Sequence, residues 1–179
     1  MSRDAEERAR GLKLMAFDVD GVLTDGTLFL ADSGEEMKGF NVRDGHGMKM
    51  LRASGVAVAI ITARRSRVVE LRARELGIEL LRQGVEDKAA ALAEIAAGLD
   101  LAESAAGYMG DDLADLPVLA RCGFAASVPE APDAVRSRAH YVARAGGGRG
   151  AVREVCEFVL RAQGTLERAI ESFLAGGGW

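Results

Sequence analysis

The apolar run Leu14-Met15-Ala16-Phe17 stops abruptly at Asp18-Val19-Asp20-Gly21. An unbroken apolar stretch with no polar alternation fits a strand buried on both faces, the mark of a parallel sheet covered by helices on each side. Two carboxylates then appear two residues apart, followed by a glycine that lets the backbone turn. In open α/β sheets, ligands gather beyond the carboxyl ends of the strands. Asp18 and Asp20 therefore stand where chemistry is expected. A DxDG tetrad alone is more often a solvated turn, so its weight depends on what the rest of the chain supplies.

The rest of the chain reads as strands alternating with helices. Val56–Ile61 is a second buried strand, ending at Thr62. Ile78–Leu81 is a third, Tyr108-Met109 a fourth running into Gly110-Asp111-Asp112, Phe124–Val128 a fifth and Tyr141–Ala143 a sixth. Between them lie a short helix His46–Ser54, closed by Gly55, and an amphipathic helix Ser66–Leu76 with Val68, Val69, Leu71 and Leu76 on its apolar side. The helix Lys88–Ala97 is N-capped by Asp87. Leu113–Arg121 has Pro117 near its start, and Pro132–Arg138 and Ala151–Ala162 complete the alternation. This pattern predicts an α/β fold, a doubly wound parallel sheet, as one domain spanning the 179 residues. A β-hairpin is predicted in Thr27–Phe40, around the turn Ala31-Asp32-Ser33-Gly34. Its apolar residues Leu28, Phe29, Leu30 and Phe40 face either a subunit interface or the parent sheet. Asn41–Gly47 reads as a polar loop. Between Asp20 and Thr62 there is room for the hairpin and one helix, and for no inserted domain. Residues 1–11 form a charged extension, Thr165–Ala175 a helical tail, and Gly176–Gly178 a flexible end.

Composition narrows the function classes. The net charge is −4, which gives no footprint for nucleic acid or an anionic membrane. Cys122 and Cys156 are too few for a disulfide framework. Met1–Arg10 has no apolar core of a signal peptide, and Val56–Ile61, the longest wholly apolar run, is too short to span a bilayer. The expectation is a soluble cytoplasmic protein.

The polar residues that end the strands form one set: Asp18 and Asp20 after the first, Thr62 after the second, Lys88 after the third, Asp111 and Asp112 after the fourth. That set suits phosphoryl transfer. A phosphate dianion is repelled by bare carboxylates, so a divalent cation must bridge them, and Mg²⁺ favours a few carboxylates, waters and phosphate oxygens. Asp18 and Asp111 supply carboxylates, Lys88 a positive charge and Thr62 a hydroxyl donor. An aspartate can also attack phosphorus, with a second carboxyl, for which Asp20 is placed, to protonate the leaving oxygen. Each residue has a plain alternative: Thr62 as a helix cap, Lys88 as a solvated helix residue, Asp111-Asp112 as acids favoured by a helix dipole. Their joint placement is what favours the site.

The order DVDGVLTDG, IITAR, Lys88 and GDDLADLP resembles the four motifs of the haloacid dehalogenase superfamily of phosphatases. NVRDGHG, ITARRS and GGGRGAVREV (Gly146–Val155) are similar to the family of 3-deoxy-D-manno-octulosonate 8-phosphate (KDO 8-phosphate) phosphatases, and the likeness spans nearly all of Leu14–Gly164. The resemblance implies a capless Mg²⁺-dependent phosphatase that works in lipopolysaccharide precursor synthesis as a homotetramer. Carried over by position, it makes Asp18 the nucleophile and a Mg²⁺ ligand. Asp20 becomes the general acid/base, a substrate contact and a Mg²⁺ ligand through its backbone carbonyl. Asp111 is the third protein ligand, with Asp112 and Asp115 behind it, and Thr62 and Lys88 hold the phosphate. Asn41, Val42, Arg43, Asp44, Gly45, Lys49, Arg64 and Arg72 match substrate-contacting positions. Ala175–Trp179 departs from the family's C-terminal pattern. Arginine also suits a sugar carboxylate on physical grounds, through two parallel hydrogen bonds. Two other readings stand beside this one: a phosphatase of a nine-carbon keto-sugar acid, and a phospho-accepting receiver domain. The latter is disfavoured by the DxD spacing, by the acidic cluster after the lysine and by the hairpin in the first βα unit.

Overall fold

The structure is a computed structural model that describes residues 3–175; the predicted flexible Gly176–Gly178 and the end of the Ala175–Trp179 tail lie outside the described residues. In chain order the elements are α1 (Arg3–Arg10), β1 (Leu14–Phe17), β2 (Phe29–Leu30), β3 (Glu36–Met37), α2 (Val42–Ala53), β4 (Ala57–Thr62), α3 (Arg67–Glu75), β5 (Leu80–Gln83) and α4 (Lys88–Gly98). Then follow β6 (Ala106–Met109), α5 (Leu116–Leu119), β7 (Phe124–Ser127), α6 (Asp133–Arg136), β8 (Tyr141–Val142), α7 (Ala151–Ala162) and α8 (Leu166–Leu174).

Six strands form one parallel sheet in the order β5-β4-β1-β6-β7-β8. All of β1 is buried, as its unbroken apolar run requires. From β1 the chain winds outward through β4 to β5, then returns across the sheet and winds the other way through β6, β7 and β8. Helices α1 and α2 pack against α7, while α4 and α5 pack together. With right-handed crossovers the reversal puts these two groups on opposite faces. The reversal also opens a crevice beyond the ends of β1 and β6, where Phe17 is in register with Met109. Asp18 and Asp111 leave the sheet into that crevice.

The hairpin of β2 and β3 forms a separate antiparallel ribbon, and only it and α2 lie between β1 and β4. Leu28, Phe29, Leu30 and Met37 on it are exposed. Phe40, for which both a subunit interface and packing within the chain were open, is half-buried against the core, with the Arg72 guanidinium 5.7 Å from its ring centre.

Several expectations need correction. The predicted loop Asn41–Gly47 is mostly helix: α2 starts at Val42, because Asn41 caps it by accepting the Arg43 N–H at 2.9 Å. Its glycines serve packing. A Cβ on Gly47 would lie 3.0 Å from the Arg153 Cα, so glycine lets α2 approach α7 closely. The charged N-terminal extension is also helical, and buries Ala5 and Ala9 one turn apart. The third strand falls at Leu80–Gln83 rather than Ile78–Leu81, and Thr62 closes the second strand from within. Leu113–Arg121 divides into a 3₁₀ turn, Leu113–Asp115, and the short α5. Leu71 of α3 is exposed while Ala73 is buried. No described helix is long and apolar enough to cross a membrane.

Candidate active site

A cleft of about 290 Å³ opens beyond the ends of β1, β4 and β6, lined by Asp18, Asp20, Thr62, Arg64, Lys88, Asp111, Asp112 and Asp115, among others. The Asp18 amide extends the ladder by donating to the Met109 carbonyl at 3.0 Å, and its Oδ1 accepts the Val19 N–H at 2.7 Å. Gly21 turns the chain with φ +85°; a Cβ there would lie 2.0 Å from the Asp111 Oδ2. Only glycine allows both that left-handed turn and the close approach of Asp111.

Lys88 is the first residue of α4, whose start Asp87 caps through the Ala90 N–H at 2.9 Å. The Lys88 Nζ reaches Asp18 Oδ2 at 2.5 Å and Asp115 Oδ1 at 2.6 Å. Burial opposes this ammonium, yet Asp18 and Asp115 outweigh it and hold Lys88 above the usual lysine range. Asp115 is fully buried and every acceptor direction is used. Its Oδ1 also accepts from the Tyr108 hydroxyl at 3.1 Å, and its Oδ2 accepts the Asp111 and Asp112 amides at 2.9 and 3.1 Å. Asp112 caps the following turn through the Leu113 N–H.

The remaining acids are left with unfavourable charge. Burial pushes the Asp111 carboxyl up to about 7, reinforced by Asp18, Asp115 and Asp112. Burial pushes Asp18 up to about 6, against the pull of Lys88. Carboxylate oxygens of Asp18, Asp111 and Asp115 lie within 4.8 Å of one another. Because Asp115 is saturated by hydrogen bonds, Asp18 and Asp111 are the pair with free lone pairs. Two desolvated carboxylates so close together fit a hard divalent cation.

Asp20 stands at the rim. Its side chain turns from the acidic pair toward Lys38 and Arg64: Lys38 Nζ bonds Oδ1, and Arg64 Nε lies 3.5 Å from Oδ2. Thr62 is buried at the end of β4.

The other predicted substrate contacts are not among the residues that line this cleft. Val42 and Arg43 are exposed on the first turn of α2. Asp44 is buried and accepts the Gly150 and Arg153 amides at 3.2 and 2.8 Å, which ties α2 to the start of α7. Gly45 lies against Arg72, which donates to Glu75 at 2.9 Å and to the Asn41 carbonyl at 3.4 Å. Lys49 lines a separate cavity of about 630 Å³ beside Arg52 and Arg74. Two residues escaped the sequence reading. Tyr108 was read as a strand residue only, although a buried hydroxyl demands a partner. Lys38 was missed although it stands two residues from Glu36, with which it pairs at 3.2 Å.

No family model matches the chain. The KDO 8-phosphate phosphatase of Yersinia pestis is 48% identical over 93% of this chain and 89% of its own length. A crystal structure of that phosphatase from Yersinia pestis superposes with a TM-score of 0.91 at 47% identity, covering 93% of this chain and 90% of that one. The KDO 8-phosphate phosphatase from Moraxella catarrhalis, solved in complex with magnesium, phosphate and KDO, superposes with a TM-score of 0.94 at 42% identity over 97% and 99% of the two chains. With that identity over that share of both chains, the present chain belongs to the KDO 8-phosphate phosphatase family of haloacid dehalogenase-type hydrolases.

Proposed function

We propose that this chain uses Mg²⁺ to hydrolyse KDO 8-phosphate to KDO and inorganic phosphate, through an aspartyl-phosphate on Asp18. The observation that carries the reading is the buried Asp18–Lys88–Asp115 group with Asp111 beside it, at the sheet's reversal point. The Asp18 and Asp111 carboxylates and the Asp20 carbonyl would hold the metal, which when bound neutralises phosphate charge and polarises the phosphoryl group.

The chain's own residues then divide the work. Val19 N–H and Lys88 fix the Asp18 carboxylate, so its attacking oxygen is already oriented. Lys88 and the Thr62 hydroxyl face the phosphate oxygens. An Asp18 oxygen bonds to phosphorus as the bond from phosphorus to the sugar oxygen breaks, and Asp20, as the acid, gives that oxygen its proton. Asp20 then takes a proton from water, whose oxygen attacks phosphorus; the bond to Asp18 breaks, inorganic phosphate leaves, and both aspartates return to their starting states.

Arg64 is the cleft residue suited to the sugar carboxylate. Of the matched positions, Asn41, Val42, Arg43 and Lys49, which reach the surface, serve a neighbouring subunit's substrate in this reading, while Asp44, Gly45 and Arg72 hold α2 in place; the exposed apolar hairpin supports a second copy packing there. The assembly is read as a homotetramer and the compartment as the cytoplasm.

The test is phosphate release from a panel of phosphorylated keto-sugar acids. KDO 8-phosphate is expected to turn over fastest, EDTA to stop the reaction and Mg²⁺ to restore it. Faster turnover of a nine-carbon acid 9-phosphate, or one phosphorylation without release, would overturn the reading.

A further inference from the structure

The hairpin is exposed along most of its length, yet one of its side chains is almost fully covered. The Lys38 side chain is 1% exposed, while its neighbour Met37 stands out in solvent. A lysine is rarely covered without a partner, because an ammonium taken out of water needs compensating charge. Lys38 finds two: Asp20 Oδ1, in a close hydrogen bond, and Glu36 Oε1 at 3.2 Å. Arg64 completes the circuit, 3.5 Å from Asp20 Oδ2 and 3.1 Å from Glu36 Oε1. Two acids and two bases alternate around a closed ring of no net charge.

The two bases are unlike. Arg64 is nearly half exposed and sits on the short loop between β4 and α3. The Lys38 side chain is enclosed, and it directly follows β3, which is held by pairing with β2. Under the reading above, on which this inference rests, Arg64 turns to the sugar carboxylate when substrate arrives. Asp20 then loses one of its two cationic contacts at the moment when it must sit beside the leaving oxygen.

We propose that Lys38 is a positioning residue, the fixed anchor that keeps the Asp20 carboxyl aimed at the leaving oxygen while Arg64 is engaged by the sugar. Glu36 is its counterpart behind the ring: it holds Lys38 in place and releases Arg64. The partners of the Lys38 ammonium are Asp20 and Glu36, not the Asp18–Asp111 carboxylate pair, so it acts through Asp20. The proton that Asp20 delivers matters in proportion to how poor the leaving group is. An alkyl oxygen of a sugar needs it; a nitrophenolate does not, and with no sugar carboxylate bound Arg64 stays on Asp20 and aims it for the attack of water that both substrates share.

The test compares wild type, Lys38→Met and Lys38→Arg on KDO 8-phosphate and on p-nitrophenyl phosphate, with Mg²⁺. Lys38→Met is expected to lower kcat on KDO 8-phosphate by about ten- to a hundredfold, less than the roughly 10²–10⁴-fold that a lost general acid costs, because Asp20 is displaced and not removed. KM should change little, and p-nitrophenyl phosphate turnover should stay within a small factor of wild type. Lys38→Arg should recover most of the loss. In an Asp20→Asn background, Lys38→Met should have no further effect. If Lys38→Met does not fold, Lys38→Gln replaces it and must show the same split between substrates. Equal loss on both substrates, no loss on either, or an additive loss in the Asp20→Asn background overturns this inference alone. A wild-type enzyme inactive on KDO 8-phosphate overturns the parent reading, and this one with it.

Discussion

At the floor of the cleft Asp18, Lys88 and Asp115 are buried and hydrogen-bonded to one another, whereas Phe29, Leu30 and Met37 on the hairpin above it are at least half exposed. The floor hangs from β1, β4 and β6, each paired within the sheet; the hairpin is a two-stranded ribbon of four paired residues. The floor gathers Asp18, Thr62, Lys88 and Asp111, the groups assigned to phosphate in the proposed reading, in one cleft of one chain. The positions matched to the sugar are dispersed, with Arg64 in the cleft and Lys49 and Arg72 elsewhere. Under the proposed reading, the difference teaches that chemistry demanding sub-ångström order is built on the sheet, while recognition is left to surfaces that a neighbour would finish.

The most severe way to break that comparison is Asp18→Asn. An amide cannot attack phosphorus, so turnover of both KDO 8-phosphate and p-nitrophenyl phosphate should fall by at least about a thousandfold, as for removal of other nucleophiles. The circular dichroism spectrum should be unchanged. Activity near wild type would mean that the floor does not carry the reaction covalently.

Arg64→Ala separates the two regions. Loss of a charged hydrogen bond of about 1.5–3 kcal/mol should lower kcat/KM for KDO 8-phosphate by one to two orders of magnitude. Hydrolysis of p-nitrophenyl phosphate, which has no carboxylate, should be nearly unaffected. Equal losses would assign Arg64 to the phosphate or the fold.

Leu30→Asp tests whether the hairpin is finished by a neighbour. A charge on that exposed apolar ribbon should reduce the mass seen by light scattering. It should also cost about tenfold in kcat/KM for KDO 8-phosphate, the scale of one contact of about 1.4 kcal/mol, with p-nitrophenyl phosphate turnover retained. An unchanged mass would show that the hairpin is not an interface.

The smallest effect concerns pH. In the metal-free protein Asp18 and Asp111 are raised from the usual 3.8 to about 6 and about 7. A raised carboxyl binds its proton more tightly folded than unfolded. Its contribution is therefore present below about pH 4 and lost as pH rises through about 6 to 7. The melting temperature without metal should drop by a few degrees across that window relative to Asp111→Asn, and Mg²⁺ should add more stability at pH 8 than at pH 5. A flat difference between the two proteins would show that the pair is not in electrostatic conflict.

The sheet was legible in the sequence because its strands are plain apolar runs and its functional acids mark where they end. Asp18, Thr62, Lys88 and Asp111 were found for that reason, and they do share one cleft. What escaped has physical causes. Helix α1 buries only alanines, which give no hydrophobic stripe to detect. Helix α2 opens with glycines needed for contact with α7, and glycine reads as a loop. Strand β5 carries Arg82 and Gln83 into the sheet edge, so its apolar part ends before it does. Lys38 was invisible because a lysine on a hairpin is solvated unless the tertiary fold brings an acid to it.

In β1 and β6, Leu14 pairs with Ala106, so the partners meet only after a loop of some ninety residues has closed. Long-range parallel pairing of this kind is slow, because the chain loses its freedom before any contact rewards it. Asp18 and Asp111 ride on those two strands, so no partly folded chain lacking that pairing holds them together. Ion capture and completion of the sheet are thus one event in time, and a refolding chain that still lacks its central pairing has no cleft in which to bind a phosphate ester.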